Sequence, residues 1–202
     1  IWFGSIHFSG VRDMVFLDVA EGVGTGIIIN GQLYHGYRNG AGEFGHICID
    51  PAGPPCSCGS VGCLEALASD WATLDRYRRK QEAALRPNQN KTETADLTPI
   101  IELARQGDSM ALEALQETAH YLGLGIAPIL YGLNPEAVVI GGKIAEAWPL
   151  ISANVMESLA KRVSAPYLQS TKLLPSSLHI RPSLLGSIAL VLAQDFSIPE
   201  IL

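Results

Sequence analysis

The sequence predicts an α/β fold, on three observations. Short apolar runs at Met14–Val19, Ile27–Ile29 and Ala137–Ile140 have the length and the β-branched content of strands. Longer stretches, foremost Ser109–Tyr131, have the length and the Leu and Ala content of helices. Asn30-Gly31 between two apolar segments is a type I′ hairpin signal, so the first strands pair antiparallel.

In chain order, Met14–Val19 is a strand interrupted by Asp18, and Gly22–Gly26 reads as a turn before Ile27–Ile29 returns. The hairpin leads into Gln32-Leu33-Tyr34, and polar, Gly-rich sequence follows to Gly42. Leu64–Leu67 is helical, and Ser69 or Asp70 caps a helix running to about Leu85. Arg86–Asp96, rich in Pro, Asn, Gln and Thr, reads as a mobile loop. Thr98 is an N-cap with Pro99 at the first helical position, opening helix Pro99–Gln106. After Gly107-Asp108 comes helix Ser109–Tyr131, where Gly123, Gly125 and Pro128 permit close packing or a bend. Ala137–Ile140 is a buried strand, and Gly141-Gly142 turns into a helix starting near Ile144. A strand at Leu178–Ile180 and a helix over about Leu185–Asp195 end the pattern, with no internal repeat.

Composition bounds the class. A chain of 202 residues, 48% apolar and 17% charged, can bury a core as one domain or two small lobes. Its net charge of −6 argues against gripping nucleic-acid phosphates by itself. Charges or turn residues interrupt every apolar run before it reaches membrane-spanning length.

The chemistry concentrates between Gly42 and Glu65. Gly42-Glu43-Phe44-Gly45-His46 is followed by Cys56-Ser57-Cys58-Gly59 and by Gly62-Cys63-Leu64-Glu65. Three thiols and an imidazole suit tetrahedral Zn²⁺, with soft sulfur and borderline nitrogen donors and no vacant position. Disulfides or free thiols are the alternative. A Cys56–Cys58 disulfide would be strained, and no secretory signal precedes the cluster, so the expectation is a reducing cytoplasm. Cys48, between Ile47 and Ile49, reads as a buried strand residue.

Glu-x-Gly-His followed by Cys-x-Cys-Gly-x-x-Gly-Cys-x-Glu resembles the signature of the ROK family of sugar kinases and sugar-responsive repressors. Weaker similarity extends from Trp2 to about Ala193. The resemblance implies the C-terminal lobe of an actin-like ATPase (ribonuclease H-like) fold, with residues 42–65 inserted as a zinc-binding loop. It implies that His46, Cys56, Cys58 and Cys63 bind structural zinc. It also implies that Glu43, His46 and Glu65 hydrogen-bond the hydroxyls of a sugar or amino sugar.

Two glycine stretches are candidates for nucleotide binding: Gly22, Gly24 and Gly26 in the first, Gly141 and Gly142 in the second. Exposed turn amides and helix N-termini favour anions. The family's kinases resemble Gly-Thr-Gly-x-Gly-x-Gly at the first, where this chain has Ala20-Glu21-Gly22-Val23-Gly24-Thr25-Gly26. A carboxylate at Glu21 facing a triphosphate costs on the order of several kcal/mol when partly desolvated. Asp18 adds a second carboxylate, while Lys143 favours phosphate or snorkels at a helix start. The weight falls against ATP.

The chain starts at Ile1-Trp2-Phe3-Gly4 without an initiator methionine, and the expectation is a fragment of a longer protein. Against the family pattern it begins after the segment carrying the catalytic Asp of the kinases and after the helix-turn-helix of the repressors. The reading is therefore the sugar-effector-binding part of a transcriptional regulator, similar to the family's repressors more than to its kinases. DNA would be bound only through an N-terminal domain, and the family's habit implies a homodimer or higher assembly. The alternative is a hexose or N-acetylhexosamine kinase, glucokinase-like, using ATP and Mg²⁺.

Overall fold

A computed structural model describes residues 10–84 and 96–177. Five strands form one mixed sheet in the order β3-β2-β1-β4-β5. They are β1 (Met14–Val19), β2 (Val23–Ile29), β3 (Gln32–Leu33), β4 (Ala137–Gly141) and β5 (Lys172–Pro175). β1, β2 and β3 run antiparallel as a meander, whereas β4 lies parallel to β1 and β5 parallel to β4. The parallel pairs require crossovers, and helices supply them. These helices are α1 (Leu64–Ala68), α2 (Asp70–Ala84), α3 (Thr98–Arg105), α4 (Ser109–Leu133), α5 (Trp148–Ala160) and α6 (Ala165–Ser170).

Alternation along the strands sorts the core into two faces. Val15, Leu17 and Val19 of β1 join Val138 and Ile140 of β4 against Leu64, Leu122, Ile126 and Val155 of the helices. Met14, Ile28, Ala137 and Val139 form a second buried cluster with Phe16 packed on it. Asp18 follows Met14 and Phe16 in alternation and shares their face.

α4 is the central helix. Asp108 caps its start by accepting the Ala111 N–H at 2.7 Å, and Asn134 ends it in the left-handed conformation at φ 44°. Its two glycines admit neighbours on different sides. A Cβ on Gly123 would stand 2.6 Å from Ser158 Cβ, and one on Gly125 would meet the Leu64 side chain at 2.5 Å. The close packing expected of both residues is present.

Several boundaries differ from the sequence reading. Val23–Ile29 is one continuous strand, so Gly24 and Gly26 lie inside the ladder opposite Asp18 and Phe16, and the turn is confined to Ala20–Gly22. Tertiary pairing here overrides the poor strand propensity of glycine. Cys48 is exposed and makes only an isolated bridge to Cys63. Thr98 is the first residue of α3 instead of its cap: Asp96 accepts its N–H at 3.2 Å and its hydroxyl at 2.8 Å. After Gly142 the chain makes a 3-10 turn, Lys143–Ala147, before α5 opens at Trp148-Pro149, where proline presets helical φ.

The sequence pattern does not predict β5 or α6. β5 lacks β-branched residues and ends in Pro175, which its place at the sheet edge permits. The loop expected over Arg86–Asp96 lies, apart from Asp96, outside the described residues. So do the strand expected at Leu178–Ile180 and the helix at Leu185–Asp195.

Candidate functional site

The Glu43–His46 segment is a short 3-10 helix seated on the glycine-rich end of β2. Thr25 anchors it, its N–H donating to Gly42 O at 3.2 Å and its hydroxyl to the same oxygen at 2.6 Å. Gly45 lies so close that a Cβ there would stand 1.9 Å from Val23 O. A Cβ on Gly42 would likewise stand 2.3 Å from Thr25 O, so the glycines of the segment itself, Gly42 and Gly45, allow its approach to the β2 backbone.

From Ile47 the chain folds into a small knot. Cys56 N–H donates to Ser60 O at 2.8 Å and Gly59 N–H to Cys56 O at 3.0 Å, reversing the chain between the cysteines. Gly62, at φ 63°, passes so near Asp50 that a Cβ would stand 1.5 Å from its carbonyl oxygen. The Ile49 and Asp50 N–H groups both donate to Gly62 O, and Leu64 N–H donates to Ile47 O. Cys63 is thereby buried at the start of α1, and Glu65 falls in its first turn.

This folding brings one donor atom each from His46, Cys56, Cys58 and Cys63 within 4.8 Å of one another. His46 Nδ1 lies 3.6 Å from Cys56 Sγ, and the Cys58 and Cys63 sulfurs are 3.8 Å apart. A tetrahedron with Zn–S bonds of about 2.3 Å and Zn–N of about 2.0 Å has S–S edges of about 3.8 Å and N–S edges of about 3.5 Å. The donor set and its spacing therefore fit zinc. A disulfide needs sulfurs about 2.0 Å apart, and all four described cysteines are free. Burial, followed by the neighbouring thiols, pushes the Cys63 thiol up to about 12. A divalent cation would reverse that by coordinating the thiolate. The Cys58 thiol, exposed, is lowered first by a hydrogen bond from the Ser60 backbone.

Of the three residues expected to meet sugar hydroxyls, His46 belongs to this cluster and Glu43 and Glu65 border it. With Nδ1 turned to Cys56, His46 directs Nε2 towards Glu43, 3.8 Å from Oε2. The Glu43 side chain is 72% exposed and open to a ligand. Glu65 is half-buried; its Oε1 accepts the Ser57 hydroxyl at 2.8 Å and its Oε2 the Val23 N–H at 3.2 Å. No motif marks Ser57 or Thr25; the place of Ser57 between two cysteines is the one signal the sequence carries for it.

Of the candidate nucleotide-binding glycines, Gly24 has nothing within 4 Å of where a Cβ would stand, whereas Gly141 and Gly142 are closely packed. A Cβ on Gly141 would fall 2.4 Å from the Phe16 ring and 3.1 Å from Asp18 Oδ1, and one on Gly142 would fall 1.6 Å from Val19 O. Asp18 Oδ1 and Asp70 Oδ1 are buried without a hydrogen-bond partner among the described residues. Burial raises the Asp18 pKa. Burial, then the carboxylates of Asp96, Asp18 and Glu21, push Asp70 up to about 7 against the opposing charge of Lys143. Lys143 itself pairs with Glu146 at 3.1 Å.

Comparison with known proteins agrees with this architecture. The ROK family model matches residues 5–194. The xylose repressor of Bacillus spizizenii is 35% identical over 187 residues, covering 93% of this chain and 46% of its own. The chain thus spans about half the length of this curated relative. A crystal structure described as a ROK family transcriptional regulator, homolog of E. coli MLC protein, superposes with TM-score 0.76 at 32% identity, covering 84% of this chain and 43% of its own. A ROK family glucokinase from Streptomyces griseus, in complex with glucose and AMPPNP, gives TM-score 0.76 at 29% identity over 90% of this chain and 61% of its own. The mixed sheet and the Cys3His cluster are those of an actin-like α/β fold with the family's zinc motif, and the chain belongs to the ROK family.

Proposed function

We propose that this chain is the sugar-effector-binding part of a ROK transcriptional regulator, shaped by one structural zinc ion on His46, Cys56, Cys58 and Cys63. The observation that carries the reading is the placement of Glu43, His46 Nε2 and Glu65 around that cluster. Carboxylates accept hydroxyl donors in fixed directions, and such charged hydrogen bonds are strong. Zinc on Nδ1 would fix the imidazole and leave Nε2 to hydrogen-bond a sugar oxygen. Binding between two lobes would act through differential affinity for two arrangements, with operator DNA held by a separate domain and the protein acting as a cytoplasmic homodimer.

The similarity to a repressor named for xylose supports a sugar effector. The acidic surroundings of the glycine pairs, with Asp18, Glu21 and Asp70 together, disfavour a triphosphate. The likeness to a glucokinase with bound AMPPNP favours the second reading, a sugar kinase using ATP and Mg²⁺. Titrating the intact gene product with pentoses, hexoses and N-acetylhexosamines while reading operator affinity tests the first reading. A sugar-dependent change in operator affinity supports it, whereas sugar-dependent ADP production supports the kinase.

A further inference from the structure

Glu65 is held at both oxygens by donors from two different parts of the fold. The Ser57 hydroxyl, in the knot, donates to Oε1 at 2.8 Å; the Val23 N–H, at the start of β2, donates to Oε2 at 3.2 Å. Gly22 lies against the same carboxylate, leaving room for it by having no Cβ. Two donors on opposite oxygens fix the plane of a carboxylate, and each oxygen keeps a further lone pair for a ligand hydroxyl. Ser57 stands between Cys56 and Cys58, so a metal held by both would fix the backbone on either side of it.

We propose that Ser57 is a positioning residue for sugar binding: it transmits the geometry of the metal knot to Glu65 and so sets the direction in which that carboxylate meets the ligand. This rests on the reading of Glu65 as a sugar-binding residue. Cys56 Sγ lies 3.9 Å from Glu65 Oε1. As a metal-bound thiolate it would repel the carboxylate, and the Ser57 hydroxyl opposes that displacement. Without the hydroxyl, Glu65 is free to swing and its link to Val23 weakens.

The test compares Ser57→Ala and Ser57→Thr with the unaltered protein, each as the intact, zinc-loaded gene product. Calorimetry with D-xylose, D-glucose and N-acetyl-D-glucosamine reads affinity, metal analysis reads zinc, and ¹⁵N NMR follows the Val23 amide without sugar. The expected result is a roughly tenfold loss of affinity in the Ala variant, the size of one net hydrogen bond to a charged group. The Thr variant should stay within about threefold, with zinc unchanged in both. The Val23 amide should shift in the Ala variant and return in the Thr variant. Unchanged affinity in the Ala variant, an unmoved Val23 amide, or loss of zinc would each overturn the proposal. If the unaltered protein binds none of the three sugars, that failure falls on the ligand reading, and the Val23 amide alone decides whether Ser57 governs Glu65.

Discussion

Gly22, before β2, and Glu65, in the first turn of α1, lie against each other: a Cβ on Gly22 would stand 2.7 Å from Glu65 Oε2. The obstructing atom is the end of a flexible side chain, so Gly22→Ala should fold with a stability change of about 1 kcal/mol or less. Glu65 would give way instead, losing the Val23 N–H. Thermal unfolding should therefore change little, while sugar affinity falls by about tenfold in a calorimetric titration.

Metal removal should separate structure from packing. Cys58 is exposed while Cys63 is buried, so Cys58→Ser removes a ligand without disturbing the core. Metal analysis should find one zinc per unaltered chain and less than one in the variant. A loss of about 3 kcal/mol, or roughly 10 °C in Tm for a domain of this size, is expected in zinc-loaded samples. The two proteins should unfold alike after chelation.

Asp70 predicts a pH dependence of stability. Its folded pKa is raised to about 7 from 3.8, so the native chain holds a proton that the unfolded chain releases. The stabilisation is complete below about pH 4 and is lost as pH rises through 7. Asp70→Asn should accordingly be more stable than the parent at pH 8, by roughly 1–2 kcal/mol after solvent screening. The difference should shrink towards pH 4 in denaturant titrations.

Most of this site was legible because its residues are local. Spacing in Glu43–His46 and Cys56–Glu65 already named the four cluster donors and both carboxylates that border them. What the sequence hid depends on contacts between distant segments. Gly24 and Gly26 have the composition of a turn, yet they are strand residues because β2 pairs with β1 along its length, placing them opposite Asp18 and Phe16. The Ser57–Glu65–Val23 link joins three segments that no periodicity relates. β5 was missed because an edge strand tolerates Pro175 and needs few β-branched residues. Cys48 lies between isoleucines and is nonetheless exposed, since it sits in an isolated bridge to Cys63 and not in a strand of the sheet.

Helix α4 offers a paired test of packing. A Cβ at Gly123 would fall 2.7 Å from Val155 O, a backbone atom of α5, whereas at Gly132 nothing lies within 4 Å. Gly123→Ala should cost about 1–3 kcal/mol through overpacking. Gly132→Ala should gain up to about 1 kcal/mol from helix propensity. Urea unfolding of the two variants checks both signs.

The central claim is that a zinc-organised pair of glutamates binds a sugar, and isothermal titration of the zinc-loaded intact protein against Glu43→Gln and Glu65→Gln tests it most directly. At least one of D-xylose, D-glucose and N-acetyl-D-glucosamine should bind the parent, and each substitution should weaken it about tenfold or more without loss of zinc. Equal affinity in parent and variants, or heat from none of the three sugars, would contradict the account.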